Sequence, residues 1–424
     1  MGLAKTRVLL LTQNSKTDGA LRVQTLTEFL RKVKHNAFNS FAKSYMFLCN
    51  KLHRVNQKKV VLKSFGGKSY SDNPKAISEK LHEMHPEAEI VWILKEPEKK
   101  KSIVPDYVRM VKANTLKEIK ELATAKVWVD NFCKPLWTYK SREQFYIQTW
   151  HGDRGFKKIL HDSSFVTKHY RLIESRICDL AVSGSEYGDR KYRTAFRFEG
   201  RIIRCGCPRN DRLIVANSER KEMLKKELGI TYEIKVLVYA PTLRREAARD
   251  GTLQSSNGID LSEILDKLNS CTEQDWTCVV RSHSSVRGID GISFDDHRII
   301  DGNGLEDMNE LLAIADFLIT DYSSSAGDFV LLNRPVVLFQ PDVEEYVAKD
   351  RSFYFDIDNS PYIRAKSQDE LLSIIEGIDW GSMTALCKSI MEFYGTNETG
   401  EASTTVANEI IDVLSNRISR RGDE

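Results

Sequence analysis

Residues 307–354 read DMNELLAIADFLITDYSSSAGDFVLLNRPVVLFQPDVEEYVAKDRSFY, and this stretch decides the fold. The apolar run at 315–320 predicts a buried strand, and the serines at 323–325 are residues that favour a helix start. Residues 336–340 predict the next buried strand. Strand, helix and strand in this order indicate a parallel crossover, with a ligand expected beyond the carboxyl ends of the strands.

The turn between these predicted elements is a candidate phosphate site. A helix that begins at the serines directs unpaired N–H groups and the positive end of its dipole past the strand. The hydroxyls of Thr320, Ser323 and Ser324, beside Asp321, complete a cradle suited to phosphate oxygens. An ordinary capped helix in an α/β domain has the same local pattern, so the pattern alone leaves both interpretations open.

The rest of the chain repeats the alternation of strands and helices, which predicts parallel sheets and an α/β fold. Further strands are predicted at 60–64, 89–94, 126–130, 145–150, 180–183, 201–204, 235–240, 276–281 and 298–301. We divide the chain into an N-terminal segment (1–59), two Rossmann-like domains (60–230 and 231–396) and a closing helical segment (397–424).

Composition limits the class of protein. The chain has 424 residues, of which 41% are hydrophobic and 29% charged, as in a soluble globular protein with room for two α/β domains. A net charge of +3 gives no indication of nucleic-acid binding. The eight cysteines lack the paired spacing of a zinc site, and no apolar run is long enough to cross a bilayer. Reduced thiols and a cytoplasmic location follow as expectations.

The N-terminal segment carries a concentrated positive charge. Residues 21–63 contain ten Lys or Arg residues and one acid, Glu28, with aromatic and aliphatic residues between them. This combination suits an amphipathic helix on an anionic membrane surface. A helix that packs its apolar face on the protein body explains the pattern equally well.

Polar clusters follow several predicted strands and would converge on a cleft between two sheets. They contain these candidate residues: His151, Gly152, Arg209, Asn210, Asp211, Thr242, Arg244, Arg281 and His283. Histidines, arginines and a hydroxyl-rich turn describe a phosphate-handling site that includes a general base. A single histidine is more often a structural residue, but two at strand ends in separate domains favour catalysis.

Several motifs then identify a resemblance. QTWHGDRGFKKI (148–159), GCPRNDRL (206–213), VYAPTLRRE (238–246), RSH (281–283) and the opening stretch resemble the CDP-glycerol glycerophosphotransferase family, in the family's order. The family contains teichoic-acid primases and polymerases. The resemblance covers about residues 60–358 and implies a GT-B-like fold, with a metal-independent and cofactor-free transfer in the interdomain cleft.

The resemblance also implies roles for single residues. His151 would be the base that takes the proton of the acceptor hydroxyl. His283 and Arg281 would contact the donor diphosphate, and Thr320, Ser323 and Ser324 would hold phosphate oxygens. Asp328 would contact the ribose hydroxyls by analogy of fold.

Substrates and location follow in the same way. CDP-glycerol would be the donor, and a polyprenyl-diphosphate-linked saccharide or polyol-phosphate chain the acceptor, at the cytoplasmic face of the membrane. Departures from the family pattern, such as Leu243 and residues 325–327, leave CDP-ribitol and nucleotide-sugar donors open. The alternative from another class of protein is a non-catalytic scaffold that binds nucleotide or lipid. The short chain favours a primase or a compact transferase over a large polymerase. The oligomeric state is left open.

Overall fold

The structure, a computed structural model, describes residues 36–417 except for 164–171, 216, 243, 245–253, 256–257 and 283–288. Its first sheet contains β1 (Asn56–Lys63), β2 (Glu89–Leu94), β3 (Arg109–Lys112), β4 (Ala125–Asp130), β5 (Phe145–Gln148), β6 (Leu180–Ser183) and β7 (Arg201–Arg204). The later strands are β8 (Lys235–Ala240), β9 (Gln254–Ser255), β10 (Trp276–Val280), β11 (Ile289–Asp290), β12 (Ile299–Asp301), β13 (Phe317–Thr320), β14 (Val336–Phe339) and β15 (Ile363–Ala365).

Helices connect and cover these strands. They are α1 (36–52), α2 (Asp72–Met84), α3 (Leu116–Thr124), α4 (Glu174–Ile177), α5 (Glu186–Thr194), α6 (Asp211–Ile214), α7 (Ser218–Glu227), α8 (Leu261–Thr272), α9 (Met308–Ile314), α10 (Ser325–Phe329), α11 (Val343–Lys349), α12 (Gln368–Gly377), α13 (Met383–Tyr394) and α14 (Ala402–Leu414).

Two parallel sheets form the predicted α/β architecture. The first has seven strands in the order β3-β2-β1-β4-β5-β6-β7, and the second has six in the order β12-β10-β8-β13-β14-β15. Their central strands are apolar on both faces because helices cover both sides of a parallel sheet. Leu318 of β13, for example, pairs with Val336 of β14 and Val238 of β8, and all three residues are at most 1% exposed.

The last helix, α14, returns to the first sheet. Val406 and Ile410 pack in the same core as Val60 and Leu62, so α14 covers the half of the molecule that was built first along the chain. Helix α7, in contrast, packs on the second sheet, because its Leu224 lies in that sheet's core. By packing, the second half therefore includes α7 and, through Cys387 and Ile390, α13.

Helix α1 packs on the first sheet through one face only. Ala42, Met46 and Cys49 are buried in its core, whereas Phe41 and Leu48 on other faces are 54% and 50% exposed. Residues 21–35 of the basic segment lie outside the described residues. No helix within the described ranges is long and apolar enough to cross a membrane.

Candidate active site in the cleft

His151 lies just beyond the carboxyl end of β5. The preceding residue, Trp150, has a φ of +48°, which turns the chain sharply out of the sheet. Asn73 stabilises this turn, because its side-chain amide donates to the carbonyl of Trp150 at 2.9 Å. Non-glycine residues at positive φ cost of the order of 1–3 kcal/mol and persist only where the surroundings enforce them.

Asn131, at the end of the neighbouring strand β4, fixes the histidine ring. His151 Nδ1 lies 2.7 Å from the Asn131 carbonyl oxygen. A carbonyl only accepts hydrogen bonds, so neutral His151 carries its proton on Nδ1 and its lone pair on Nε2. The Asn131 side chain accepts from Phe65 N at 2.7 Å and donates to Asp72 Oδ1 at 2.9 Å. These two bonds hold Asn131 itself in place.

Three aromatic rings surround His151. Trp150, Phe65 and Phe132 have ring centroids 4.1, 5.0 and 6.0 Å from that of the histidine. Phe65 also has a positive φ, +46°, and Phe132 is 44% exposed. The rings restrict the imidazole on several sides while the residue stays partly open to solvent.

The loop after His151 is anchored in both halves of the molecule. The buried ammonium of Lys191 donates to the carbonyls of Gly152, Asp153 and Gly155 at 2.7–3.1 Å. Phe156 is fully buried in the core of the second half. The position of His151 is therefore tied to the second sheet by the same loop that carries it.

The turn that contains the serines at 323–325, called the serine turn below, belongs to the second half and faces this loop. A Cβ atom added at Gly155 would lie 3.4 Å from Ser324 Cβ, and one added at Gly152 would lie 3.9 Å from Ser324 Oγ. Ser323 Oγ hydrogen-bonds Ser325 Oγ at 2.9 Å. The structure thus places the loop that carries His151 and Gly152 against Ser324, next to Ser323.

Asp321, Thr242 and Arg244 form a second group beside the turn. The Asp321 carboxylate accepts from Thr242 N at 2.8 Å and from Arg244 Nη1 at 2.8 Å, and Arg244 also pairs with Asp342. Thr320 is fully buried, and its hydroxyl donates to the Ala240 carbonyl at 2.6 Å. The Thr320 side chain therefore bonds the neighbouring strand β8.

Arg281 follows β10 and therefore lies at the same edge of the second sheet as the serine turn, beyond the carboxyl ends of the strands. Its guanidinium donates to the carbonyls of Gly302 and Glu306 at 2.9 and 3.4 Å, and burial lowers its pKa from the usual value. His283 lies outside the described residues, so its predicted contact with the donor remains a prediction.

Arg209, Asn210 and Asp328 form a buried polar cluster between the two halves. Asp328 accepts from Arg209 Nη2 at 3.0 Å, from Asn210 Nδ2 at 3.1 Å and from Arg154 Nη2 at 2.6 Å. The two arginines hold the pKa of the Asp328 carboxyl below its usual value, against the effect of burial. Asp328 is only 4% exposed, and this geometry favours an interdomain contact for the residue.

Three further features lie at or beside the cluster. Arg154 Nη1 and Asn210 Nδ2 both donate to Glu398 Oε1 at 2.8 Å, which brings the segment before α14 into the network. Gly327 makes room for this arginine, since a Cβ atom there would lie 2.7 Å from Arg154 Cβ. Asp211 accepts from Ala402 N and Ser403 N and thereby caps α14.

Sequence reasoning missed the residues that support the site. Asn131, Lys191, Arg154 and Glu398 are all polar and buried or nearly buried. A buried polar residue needs a partner, and these partners come from distant parts of the chain. The available signal was weak: Arg154 lies within the quoted histidine motif, whereas Glu398 lies in no motif.

The chemistry that this cleft can perform follows from its groups. An imidazole with its lone pair on Nε2 can take a proton from a hydroxyl group. The facing serines and the cations Arg244 and Arg281 can stabilise spread negative charge on phosphate. Phosphoryl transfer depends mainly on such positioning and charge stabilisation.

Several curated proteins are similar to this chain in sequence. The chain is 33% identical to the teichoic acid poly(glycerol phosphate) polymerase of Staphylococcus epidermidis, over 82% of the chain and 49% of that protein. It is 32% identical to the teichoic acid glycerol-phosphate transferase of Staphylococcus aureus, over 82% and 89%. A ribitol-phosphate primase of Bacillus spizizenii is more distant, at 26% identity over 91% and 98%.

Solved structures and a family model extend the comparison. The wall teichoic acid polymerase TagF superposes with a TM-score of 0.77 at 27% identity, covering 94% of this chain and 99% of that one, which confirms the GT-B-like fold. The chain spans about half the length of the first curated relatives that it matches. Residues 45–412 match the model of CDP-glycerol:poly(glycerophosphate) glycerophosphotransferases, and the chain belongs to that family.

Proposed function

We propose that the protein transfers glycerol phosphate from CDP-glycerol to a hydroxyl group of an acceptor and releases CMP. The acceptor hydroxyl attacks the phosphorus next to glycerol, the bond from that phosphorus to the bridging oxygen breaks, and CMP leaves. His151 Nε2 takes the acceptor proton. The acceptor is a polyprenyl-diphosphate-linked saccharide or a polyol-phosphate chain.

One observation carries this proposal. His151, oriented by the Asn131 carbonyl, lies on a loop that approaches the facing turn so closely that a Cβ atom added at its Gly152 or Gly155 would touch Ser324. A base from one half and a phosphate-binding turn from the other therefore meet across the cleft. This is the arrangement that an in-line transfer between two bound substrates needs.

Glycerol is favoured over ribitol as the alditol by the relatives. Those named for glycerol phosphate are 31–33% identical to the chain, and those named for ribitol phosphate are 26–28% identical. CDP-ribitol is therefore the second donor to test.

We also propose that the protein works at the cytoplasmic membrane surface. Phe38, Phe41, Phe47, Leu48 and Leu52 of α1 are 43–69% exposed on a helix within the basic segment. Exposed aromatic and aliphatic residues beside lysines suit insertion between anionic headgroups. Such a contact would bring the cleft near a lipid-linked acceptor.

The test is CMP release by the purified chain with CDP-glycerol and a lipid-linked saccharide acceptor. We expect acceptor-dependent release that His151→Asn lowers at least 100-fold, because a general base contributes about 10²–10⁴-fold. His161→Asn is the control, since this histidine lies in the same half outside the proposed chemistry.

Three outcomes are informative. Loss of release only in the His151 variant supports the transfer, and product mass then counts the units added. Release from CDP-ribitol alone would replace the donor. A nucleoside diphosphate product, or turnover unaffected by His151→Asn, would contradict the proposed reaction.

A further inference from the structure

Lys157 lies where the two halves pair edge to edge. Lys158 N donates to Ser352 O at 2.9 Å, and Tyr354 N donates to Phe156 O at 2.9 Å. Between these bonds, an antiparallel bridge joins Lys157 to Phe353. Residues opposite each other in such a bridge project to the same side, so the Lys157 side chain runs beside the Phe353 ring.

Phe353 belongs to an aromatic group next to the serine turn. Its ring centroid lies 5.3 Å from that of Tyr322, in a stacked arrangement, and Tyr322 directly precedes Ser323. Lys157 lies on the same loop as His151. It is this loop, at Gly152 and Gly155, that approaches Ser324. Lys157 therefore lies opposite a residue whose ring stacks on the one that precedes the candidate phosphate site.

Charges of both signs surround Lys157. The charged groups that face its ammonium are Arg244, Asp321, Asp350 and Arg351. Asp321 is already paired with Arg244. Among the described residues, the Lys157 ammonium has neither a hydrogen bond nor an ion pair, and part of the residue remains open to solvent.

We propose that Lys157 binds the diphosphate of the donor across the cleft, together with the serine turn. This inference rests on the proposed function and adds a donor-binding residue from the half that also supplies the base. An ammonium group is a compact charge that can contact phosphate oxygens from one side. Binding the donor would then strengthen the contact that the 156–158 pairing already makes between the two halves.

A protonation change supports the proposal. Burial, with the positive charges of Arg351 and Arg244, lowers the pKa of Lys157 to about 7, although Asp321 and Asp350 oppose this effect. At pH 8 the free protein therefore holds much of this lysine as the neutral amine. A bound diphosphate favours the ammonium form, so binding takes up a proton from solution.

The first test is calorimetric titration of the full chain with inorganic diphosphate at pH 8. Two buffers with different heats of ionisation report proton uptake. We expect Lys157→Met to weaken binding at least tenfold and to abolish the buffer dependence of the enthalpy. Lys158→Met, a change of the adjacent lysine, should alter the affinity less than twofold.

The second test is CMP release with CDP-glycerol. We expect Lys157→Met to raise the KM for the donor with an unchanged melting temperature, and Lys157→Arg to recover part of the loss. Equal diphosphate affinity in wild type and Lys157→Met, or no binding to wild type, would overturn the inference. Failure of wild type to turn over CDP-glycerol would instead refute the proposed function, while the titration still decides the role of Lys157.

Discussion

At the residue scale, the candidate site depends on buried polar side chains that hold its loops in place. Asn131 is the clearest case, because its carbonyl sets the proton position on His151 and its side chain holds Phe65 and Asp72. Lys191 acts in the same way through three carbonyls of the following loop. Precise placement of a base needs this kind of support.

The sequence predicted the residues at strand ends but not their partners. His151, Gly152 and Ser324 follow apolar runs whose ends are visible in the pattern, and the structure brings them together. Asp328 was expected at the ribose, but its partners Arg154 and Arg209 lie more than 100 residues away. No local pattern reports such a contact.

Glu174 provides a prediction about pH at this scale. Burial raises the pKa of this carboxyl to about 7, although its hydrogen bond from Lys134 N opposes the shift. Between about pH 4.5 and pH 7 the folded chain keeps a proton on Glu174 that the unfolded chain loses. The free energy of unfolding therefore falls as the pH rises through this range, and the loss is complete above pH 7. We expect Glu174→Gln to unfold at a higher temperature than wild type at pH 8, and the advantage to shrink at pH 5.

Thermal unfolding across pH 5–8 checks this expectation. Glu233→Gln, at an exposed position, should follow the wild-type curve throughout. A difference between Glu174→Gln and wild type that stays constant with pH would contradict the assignment.

At the scale of elements, the central strands of both sheets were predictable, as were the edge strands β7 and β12, but the edge strands β3 and β15 were not. β3 at the edge of the first sheet has one buried residue, Val111, and β15 at the edge of the second is three residues long. Edge strands need little apolar surface, so their sequences lack a clear period. Helix α10 is also shorter than its serine-rich start suggested, with five residues.

Helix α1 gives a prediction for the element as a whole. The double change Phe41→Ser and Leu48→Ser removes two exposed apolar side chains without touching the buried face. We expect at least tenfold weaker co-flotation with anionic vesicles, because each inserted side chain contributes about 1.5–3 kcal/mol. Turnover of a water-soluble acceptor should be unchanged.

Phe294→Ser is the matched control, since this residue is 48% exposed in the second half. Vesicle binding that is equal in all three proteins would remove α1 from the membrane contact.

At the scale of the whole molecule, charged groups connect the two halves. Lys75 pairs with Glu310 and Lys100 with Glu306, around the buried cluster that contains Asp328. Buried ion pairs are costly to break because a lone charge remains inside the protein. The relative position of base and serine turn therefore depends on an electrostatic interface.

Asp328→Asn tests this interface. The change leaves Arg154 and Arg209 buried without their shared counter-ion, so we expect a loss of about 3–5 kcal/mol in stability. Thermal unfolding measures the loss, and Glu233→Gln at an exposed position should show none. A normal melting temperature combined with a raised KM for the donor would instead indicate the ribose contact predicted from the sequence.

The return of α14 to the first half has a consequence for biosynthesis. The ribosome makes residues 56–204 of the first sheet early, but Val406 and Ile410, which complete the core around Val60, emerge only after the whole second half. Until then an apolar face of the nascent first sheet stays uncovered, where a chaperone that recognises apolar segments can bind it. The first domain to be translated can therefore finish folding only after α14 has been made.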